Sequence, residues 1–472
     1  MDDLYPGQEL TAVLRELTRI TQAWALGQRV DAERLRELRR QAILANHAYY
    51  LETIPIYSRF AQEEGIGVLD DVEPIKRQLM FPDDLFKSYD QSWLDERNFA
   101  RMNLWLSEIY HRRVSVDVTD IASIDGWIDR LAEHGVRLVY SSGTSGTFSF
   151  IPRSVANLAL LRTVSTFYLT PYLLSTKLGN PLQQLLVRLA CRLVSPEAFA
   201  RASQRVGLSG FDAVFLDFRQ GRTGNQSLEQ ELAPLFRKHY FLYDTDLSPS
   251  VLRLATRGPK TKEDRDQLLA LQEVVVGQKA QNYRRVMGYL KSSTAEGQRV
   301  FMFGTPVQFK ELCETIAADG GGLGLNDGSL ILFGGGWKSF TGEKIPRDLL
   351  LALMSENLGL PAERIMEGYS MTEISAFTLR CDQGRFHIPP FIEPVLFDQE
   401  LEILEGSDVR GTLGFLDPLA ISYPGFIISG DEVHFVDGPC ACGLSGPAVT
   451  EIGRARHREV KGCGGIMASL AA

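Results

Sequence analysis

From about residue 110 onward, short apolar runs alternate with stretches of helical period. Arg137–Tyr140 (RLVY), Phe211–Phe218 (FDAVFLDF), Arg299–Gly304 (RVFMFG) and Ser329–Phe333 (SLILF) read as strands. The last two lead into helical patterns over Val307–Ala318 and Ile345–Asn357. A strand that returns through a helix lies parallel to its predecessor, so this alternation predicts an α/β fold with a buried parallel sheet.

The ends of the chain read differently. Residues 1–60 are helical by spacing, with Leu10, Leu14 and Leu17 on one face and charge alternating with leucine over Val30–Tyr50. Asp31 is placed to cap the second helix, although Arg34 stands where a capping box needs Glu or Gln. After Phe386 the pattern turns to short strands, at Glu402–Leu404, Gly411–Leu416, Phe426–Ser429 and Glu432–Val436, between Gly, Pro and Asp turns. The division expected is 1–110 as an N-terminal helical region, 111–430 as a core with a β-subdomain from about 386, and 431–472 as a hinge-like segment with a Gly/Cys tail.

Composition narrows the function classes. Lys and Arg number 50 against 59 Asp and Glu, a net charge of −9, which argues against binding to a nucleic-acid backbone. A small anion remains possible, since backbone amides and a few cations suffice to hold one. Six cysteines in 472 residues make no disulfide framework. The start Met1-Asp2-Asp3 lacks a signal-peptide pattern, and no apolar run is long enough for a membrane span. The expectation is a cytoplasmic protein with reduced thiols.

Five segments can carry chemistry. Tyr140-Ser141-Ser142-Gly143-Thr144-Ser145-Gly146-Thr147 follows a strand and precedes a helix from about Ser154. Its glycines let backbone amides approach an anion, and its hydroxyls add neutral donors. Gly334-Gly335-Gly336-Trp337-Lys338 follows the SLILF strand and allows a flat ring to lie on the backbone at a strand's C-terminal end. Glu367-Gly368-Tyr369-Ser370-Met371-Thr372-Glu373 offers an aromatic face and oxygen ligands suited to Mg²⁺. Ser429-Gly430-Asp431 supplies a carboxylate able to accept from ribose hydroxyls. The last segment runs from Gly453-Arg454 to Lys461-Gly462-Cys463-Gly464-Gly465. The GxxxxGK[ST] phosphate loop, a Rossmann fingerprint and a GxSxG elbow are all missing. The Gly320–Gly324 run reads as the loop closing a helix.

Cys440-Ala441-Cys442 reads as two reduced thiols in a turn, with a zinc site shared with His434 and Cys463 as the alternative. Cys191, Cys313 and Cys381 read as small core residues.

In their order, SSGTSGT, GYSMTE, SGD and Gly453-Arg454 resemble the phosphate loop, Tyr-x-x-Thr-Glu signature, ribose-binding Thr-Gly-Asp and hinge start of the adenylate-forming superfamily. The resemblance runs from about residue 136 to 465. GGGWK and the terminal Lys-Gly-Cys-Gly are similar to a narrower group, the acyl-protein synthetases of the bacterial luminescence fatty-acid reductase, with phenylacetate–CoA ligases as cousins. The fold implied is a large adenylate-forming N-terminal-type domain, with mixed sheets, flanking helices and a small β-subdomain, and with the mobile C-terminal domain absent or truncated. Two departures stand out. Phe148-Ser149-Phe150 replaces the phosphate loop's Pro-Lys-Gly, with Arg153 as the possible substitute cation, and the hinge lacks its Asp-Asp pair.

The resemblance implies ATP and Mg²⁺ as cofactors and a small carboxylic acid, fatty or aryl, as substrate. It implies that Ser141, Ser142, Gly143, Thr144, Ser145, Gly146 and Thr147 hold phosphates. Gly334, Gly335, Gly336 and Tyr369 would hold adenine, and Asp431 and Arg454 the ribose. Glu373 and Thr144 would ligate Mg²⁺, with Thr372 near the α-phosphate. Lys338 or Lys461 would supply the cation near the reacting carboxylate. Cys463, nine residues before the last (472 − 463), is the internal acyl acceptor by this likeness. An acyl carrier protein, CoA, a partner acyl-acceptor enzyme or an amine stand as other acceptors. Phe301–Pro306, Trp337 and Phe377 are expected along the acid pocket. The other class of reading is a non-catalytic nucleotide- or acyl-binding subunit of a biosynthetic complex.

Overall fold

The computed structural model describes residues 8–141, 147–161, 172–173, 182, 185–186, 189–190, 208–337 and 344–455. Their contacts gather into two compact units. Among the described residues, the first holds the chain up to Ser141, residues 147–161 and everything from Met371; the second runs from residue 172 to Ser370. The chain therefore enters the first unit, leaves it for the second, and returns.

The first unit opens with helices Gln8–Ala25, Ala32–Thr53 and Pro55–Glu63. Asp31 accepts from the N–H groups of Glu33 and Arg34 at 3.0 and 3.1 Å, so it caps the second helix without a full capping box. That helix buries Leu38, Ala42, Ile43, Asn46, His47 and Tyr50, a stripe at three- and four-residue intervals. The short strand β1 (Phe81–Pro82) follows, then helices Phe99–Ile109 and Ile124–Glu133. Strands β2 (Val136–Ser141) and β3 (Ser149–Ser154) form an antiparallel pair from Val136↔Ser154 to Ser141↔Ser149. Phe148 is fully buried and stacks on Tyr140 at 5.0 Å, which explains apolar residues where a phosphate loop would carry Pro-Lys-Gly.

The second unit is the α/β portion. Strands β4 (Phe211–Gln220), β5 (Lys238–Asp246), β6 (Arg299–Gly304), β7 (Leu330–Gly334) and β8 (Ile365–Ser370) lie in the order β5-β4-β6-β7-β8. Every pair in that run is parallel, as the alternation predicts. Helices Lys279–Ala295, Pro306–Ala318 and Arg347–Leu358 join its strands, and Thr305 with Gln308 forms a capping box on the second of these. Val214, Leu216, Met302, Ile331 and Phe333 from the strands share one core with Val286, Leu290, Leu312, Ile316 and Met354 from the helices. The Gly320–Gly324 run does close a helix: Gly320 and Gly321 have φ of +99° and +140°.

Back in the first unit, β9 (Phe377–Leu379), β10 (Phe386–His387), β11 (Glu393–Phe397), β12 (Asp408–Leu416), β13 (Phe426–Asp437) and β14 (Pro447–Arg454) follow. Of these, β10 to β14 build an antiparallel sheet ordered β10-β14-β13-β12-β11, with β1 pairing in parallel with β13. Two readings need correction. Glu402–Leu404 is not a strand and makes only the bridge Phe397↔Ile403. Phe426–Ser429 and Glu432–Val436 are one strand, because β1 and then β14 take over the same edge of β13 and keep its backbone paired. Residues 431–454, grouped by sequence with the hinge-like tail, are largely strand in this sheet. No helix among the described residues is long and apolar enough to cross a membrane.

Candidate functional site

In the second unit, two predicted segments meet at strand ends. Gly334 closes β7 opposite Gly368 of β8. A Cβ on Gly334 would stand 2.8 Å from the Gly368 carbonyl oxygen, so the two backbones approach as only glycine allows. Gly335 and Gly336 then turn with φ of +82° and +62°, and a Cβ on Gly336 would meet open space. This leaves an exposed, flat turn of backbone at the C-terminal end of a parallel strand, with Tyr369 half-buried on β8. Glu367, which precedes it, is bound to Arg347 at 2.6 Å. Trp337 packs against the core of this unit, and Phe301 stacks on Phe236 at 5.1 Å, so both serve as core residues in addition to any lining role.

In the first unit, Thr372 and Glu373 sit on a turn held from below. The buried Arg153 donates to the Thr372 carbonyl at 2.8 Å and lies over the Tyr423 ring at 5.1 Å. Tyr423 Oη donates to the Glu373 carbonyl at 3.1 Å. Asp417, fully buried, accepts from the N–H groups of Ser375 at 2.6 Å and Leu419 at 2.9 Å. Burial pushes the Asp417 carboxyl up, and those two donors oppose the shift. The expectation that Arg153 replaces the missing phosphate-loop lysine fails on this geometry: the residue is 3% exposed and its guanidinium is committed to Thr372, Asn157 and Tyr423. Nothing in the sequence pattern marked Arg153, Asp417 and Tyr423 as one network, since they lie far apart in the chain. Ser141 and Thr147 flank the Gly- and hydroxyl-rich connection between β2 and β3.

Asp431 and Arg454 are brought together. They are cross-strand partners of β13 and β14, with Arg454 Nη1 3.2 Å from Asp431 Oδ1. Ser429-Gly430-Asp431, which reads as a turn, is instead a bulge. Between Gly414↔Ile428 and Thr412↔Glu432, one residue of β12 faces these three of β13. A bulge re-aims side chains without ending the strand. Glycine suits its middle, because a Cβ on Gly430 would come within 3.1 Å of Arg454 Nη1.

Another cluster was only half legible. Cys440 and Cys442 do lie in a turn, between β13 and β14, but His434 is elsewhere: it binds Asp408 at 2.7 Å and Thr450 at 3.0 Å. The neighbours are Cys381, read from sequence as a core thiol, and His387. Cys381 Sγ is 3.9 Å from Cys440 Sγ, and His387 Nε2 is 3.3 Å from Cys442 Sγ. The Cys442 thiol's hydrogen bond draws Cys381 well below the ordinary thiol range. Cys313, by contrast, is a buried helix residue whose thiol burial pushes up to about 12.

Ser142, Gly143, Thr144, Ser145, Gly146, Lys338, Lys461, Cys463 and Cys191 lie outside the described residues.

The structure of 2-hydroxyisobutyryl-CoA ligase in the postadenylation state, in complex with R3-HIB-AMP, matches over 90% of this chain and 68% of that one, with a TM-score of 0.50 and 13% identity. At that identity the likeness speaks for the fold alone. The sequence adds a narrower likeness: residues 279–471 match the family "Acyl-protein synthetase, LuxE". Two curated relatives are long-chain-fatty-acid–luciferin-component ligases. The one from Vibrio harveyi is 24% identical over 173 residues, 35% of this chain and 44% of the relative. The one from Aliivibrio fischeri is 25% identical over 146 residues, 30% of this chain and 37% of the relative. The matched stretch thus spans less than half the length of either relative. The motif-based resemblance to the acyl-protein synthetases agrees with both comparisons.

Proposed function

We propose that the protein is a ligase that activates a carboxylic acid, fatty or aryl, with ATP and passes the acyl group to a thiol. The observation that carries this reading is the Asp431–Arg454 pair on the β13 bulge, inside the segment that matches the acyl-protein synthetase family. A carboxylate oriented by a guanidinium can accept from two vicinal hydroxyls. In this reading Asp431 and Arg454 take the ribose. Gly334–Gly336 give the adenine ring a side-chain-free surface, which the open space at Gly336 allows, and Tyr369 gives it an aromatic face.

A carboxylate oxygen of the acid attacks the α-phosphorus, the bond to the β-phosphate oxygen breaks, and pyrophosphate leaves. A thiolate then attacks the acyl carbon of the mixed anhydride and AMP leaves. Catalysis of such a step rests on alignment and on neutralising charge at the phosphates. Glu373 and Thr144 would hold Mg²⁺, whose hard oxygen preference suits them, and the ion would neutralise phosphate charge. Arg153 and Tyr423 fix the backbone from which Thr372 and Glu373 project, so they are positioning residues. Ser141 to Thr147 would hold phosphates, and Lys338 or Lys461 would face the carboxylate. Cys463 is the proposed internal acceptor; CoA, a carrier-protein thiol, a partner enzyme or an amine are the alternatives.

Carboxylate-dependent exchange of pyrophosphate into ATP across a panel of fatty and aryl acids tests the activation. Exchange with at least one acid, abolished in Asp431→Ala, is expected. No exchange with any acid at high enzyme would overturn activation and leave the non-catalytic binding subunit. Intact mass tests the acceptor: an acyl increment lost in Cys463→Ala is expected. An increment that survives the substitution would discard Cys463 and leave activation standing.

A further inference from the structure

We propose that Cys381, His387, Cys440 and Cys442 bind one zinc ion that fastens the β9–β10 turn to the β13–β14 turn. The four ligand atoms lie within 4.8 Å of one another. Tetrahedral zinc with bonds of about 2.3 Å to sulfur and 2.0–2.1 Å to nitrogen sets ligand–ligand edges of roughly 3.8 Å for S–S and 3.5 Å for S–N. The Cys381–Cys440 edge is 3.9 Å and the Cys442–His387 edge 3.3 Å, already close to those values. The widest pairs need to close by about 1.3 Å at most, a side-chain adjustment.

A second observation comes from the backbone. Cys381-Asp382-Gln383-Gly384 and Cys440-Ala441-Cys442-Gly443 make the same turn. Cys381 N–H donates to the Arg385 carbonyl and Gly384 N–H to the Cys381 carbonyl, both at 2.9 Å. In the other turn, Cys440 N–H donates to the Leu444 carbonyl at 2.9 Å and Gly443 N–H to the Cys440 carbonyl at 3.0 Å. The fourth residue has positive φ in both, +76° at Gly384 and +94° at Gly443, which is why each is glycine. Two copies of one Cys-x-x-Gly turn thus present their first cysteines to each other from separate hairpins. Cys442 and His387 complete the set.

The surroundings fit a closed structural site better than loose thiols. His387 is 2% exposed, its ring meets Trp24 edge-on at 6.3 Å, and its Nε2 faces the Cys442 sulfur at 3.3 Å. Cys381 is buried as well. Three thiolates and one imidazole form a soft set that favours zinc over Mg²⁺. The same ion would anchor the start of β14, whose far end carries Arg454 opposite Asp431. With Cys381 and His387 as ligands, Cys463 is not needed for metal, so zinc binding and an acyl-accepting Cys463 are compatible.

Metal content and cobalt spectra test this without any activity. Full-length protein purified under reducing conditions should hold one zinc per chain. After removal by chelator, Co²⁺ should give intense tetrahedral ligand-field bands and a thiolate-to-cobalt charge-transfer band. Cys463→Ser should keep both, whereas Cys381→Ser and Cys442→Ser should each lose at least tenfold in affinity. His387→Cys should keep tetrahedral binding with an added sulfur signature, which separates ligand loss from misfolding. Wild-type protein without metal and without the cobalt bands would overturn the proposal. So would loss of metal in Cys463→Ser but not in Cys381→Ser, or a Cys381–Cys440 disulfide in the reduced preparation.

Discussion

The two units hold their candidate chemistry in opposite ways. In the second, Gly334–Gly336 and Tyr369 sit at the ends of parallel strands, in a unit whose strands and helices share an apolar core cluster. In the first, Thr372 and Glu373 rest on buried polar groups, Arg153, Asp417 and Tyr423, joined by short hydrogen bonds. Apolar packing tolerates small changes in shape, because its energy is spread over many weak contacts. A buried polar network does not, since removing one member strands its partner without water.

The largest test of that contrast is Asp417→Ala. It leaves the N–H groups of Ser375 and Leu419 unpaired in a dry site, and a loss of about 3–4 kcal/mol in unfolding free energy is expected by urea titration. A loss below about 1 kcal/mol would mean the network is not what holds this turn.

Next is pH. Burial depresses His111 of the first unit to about 4, against an unfolded value near 6.5. Its contribution is therefore present above pH 6.5 and is lost as pH falls toward 4, by about 3 kcal/mol in all. His111→Phe should flatten that slope. In the second unit the sign reverses. Burial, and to a lesser degree the charge of Asp217, raise Glu229 well above its ordinary value. Its contribution is full at acid pH and fades as pH rises through the raised value. Hydrogen exchange should thus show the peptides around His111 weakening toward acid and those around Glu229 toward base. Glu229→Gln, which keeps the shape of the protonated acid, should remove the second trend.

Ile331→Val, in the core of the second unit, should cost only about 1 kcal/mol by the same titration, because one lost methyl leaves a small cavity. The smallest effect belongs to Arg410→Ala. Its bidentate pair with Glu451, at 2.8 and 2.9 Å, stands in water, and the melting temperature should not move measurably.

Of the parallel strands of the second unit, β4, β6 and β7 were legible as short, largely apolar runs, for which period and length leave few alternatives, whereas β5 was not read from the sequence. Arg299–Gly304 is a strand over the very residues the pattern marked. The Asp31 cap was legible for the same local reason. The β13 bulge was not. Ser429-Gly430-Asp431 carries turn residues, and only the neighbouring strands, by pairing on both sides of it, keep it within a strand.

What this sequence settles alone is whatever local periodicity and turn chemistry control: the alternation of strand and helix, the caps, the glycine turns, and the residue types able to meet phosphate, ribose and acid. What the tertiary structure decided is which distant residues share a dry environment. Arg153 became a clamp on Thr372, and Cys381 and His387 joined Cys440 and Cys442, because burial forces each polar group to find a partner wherever the fold supplies one.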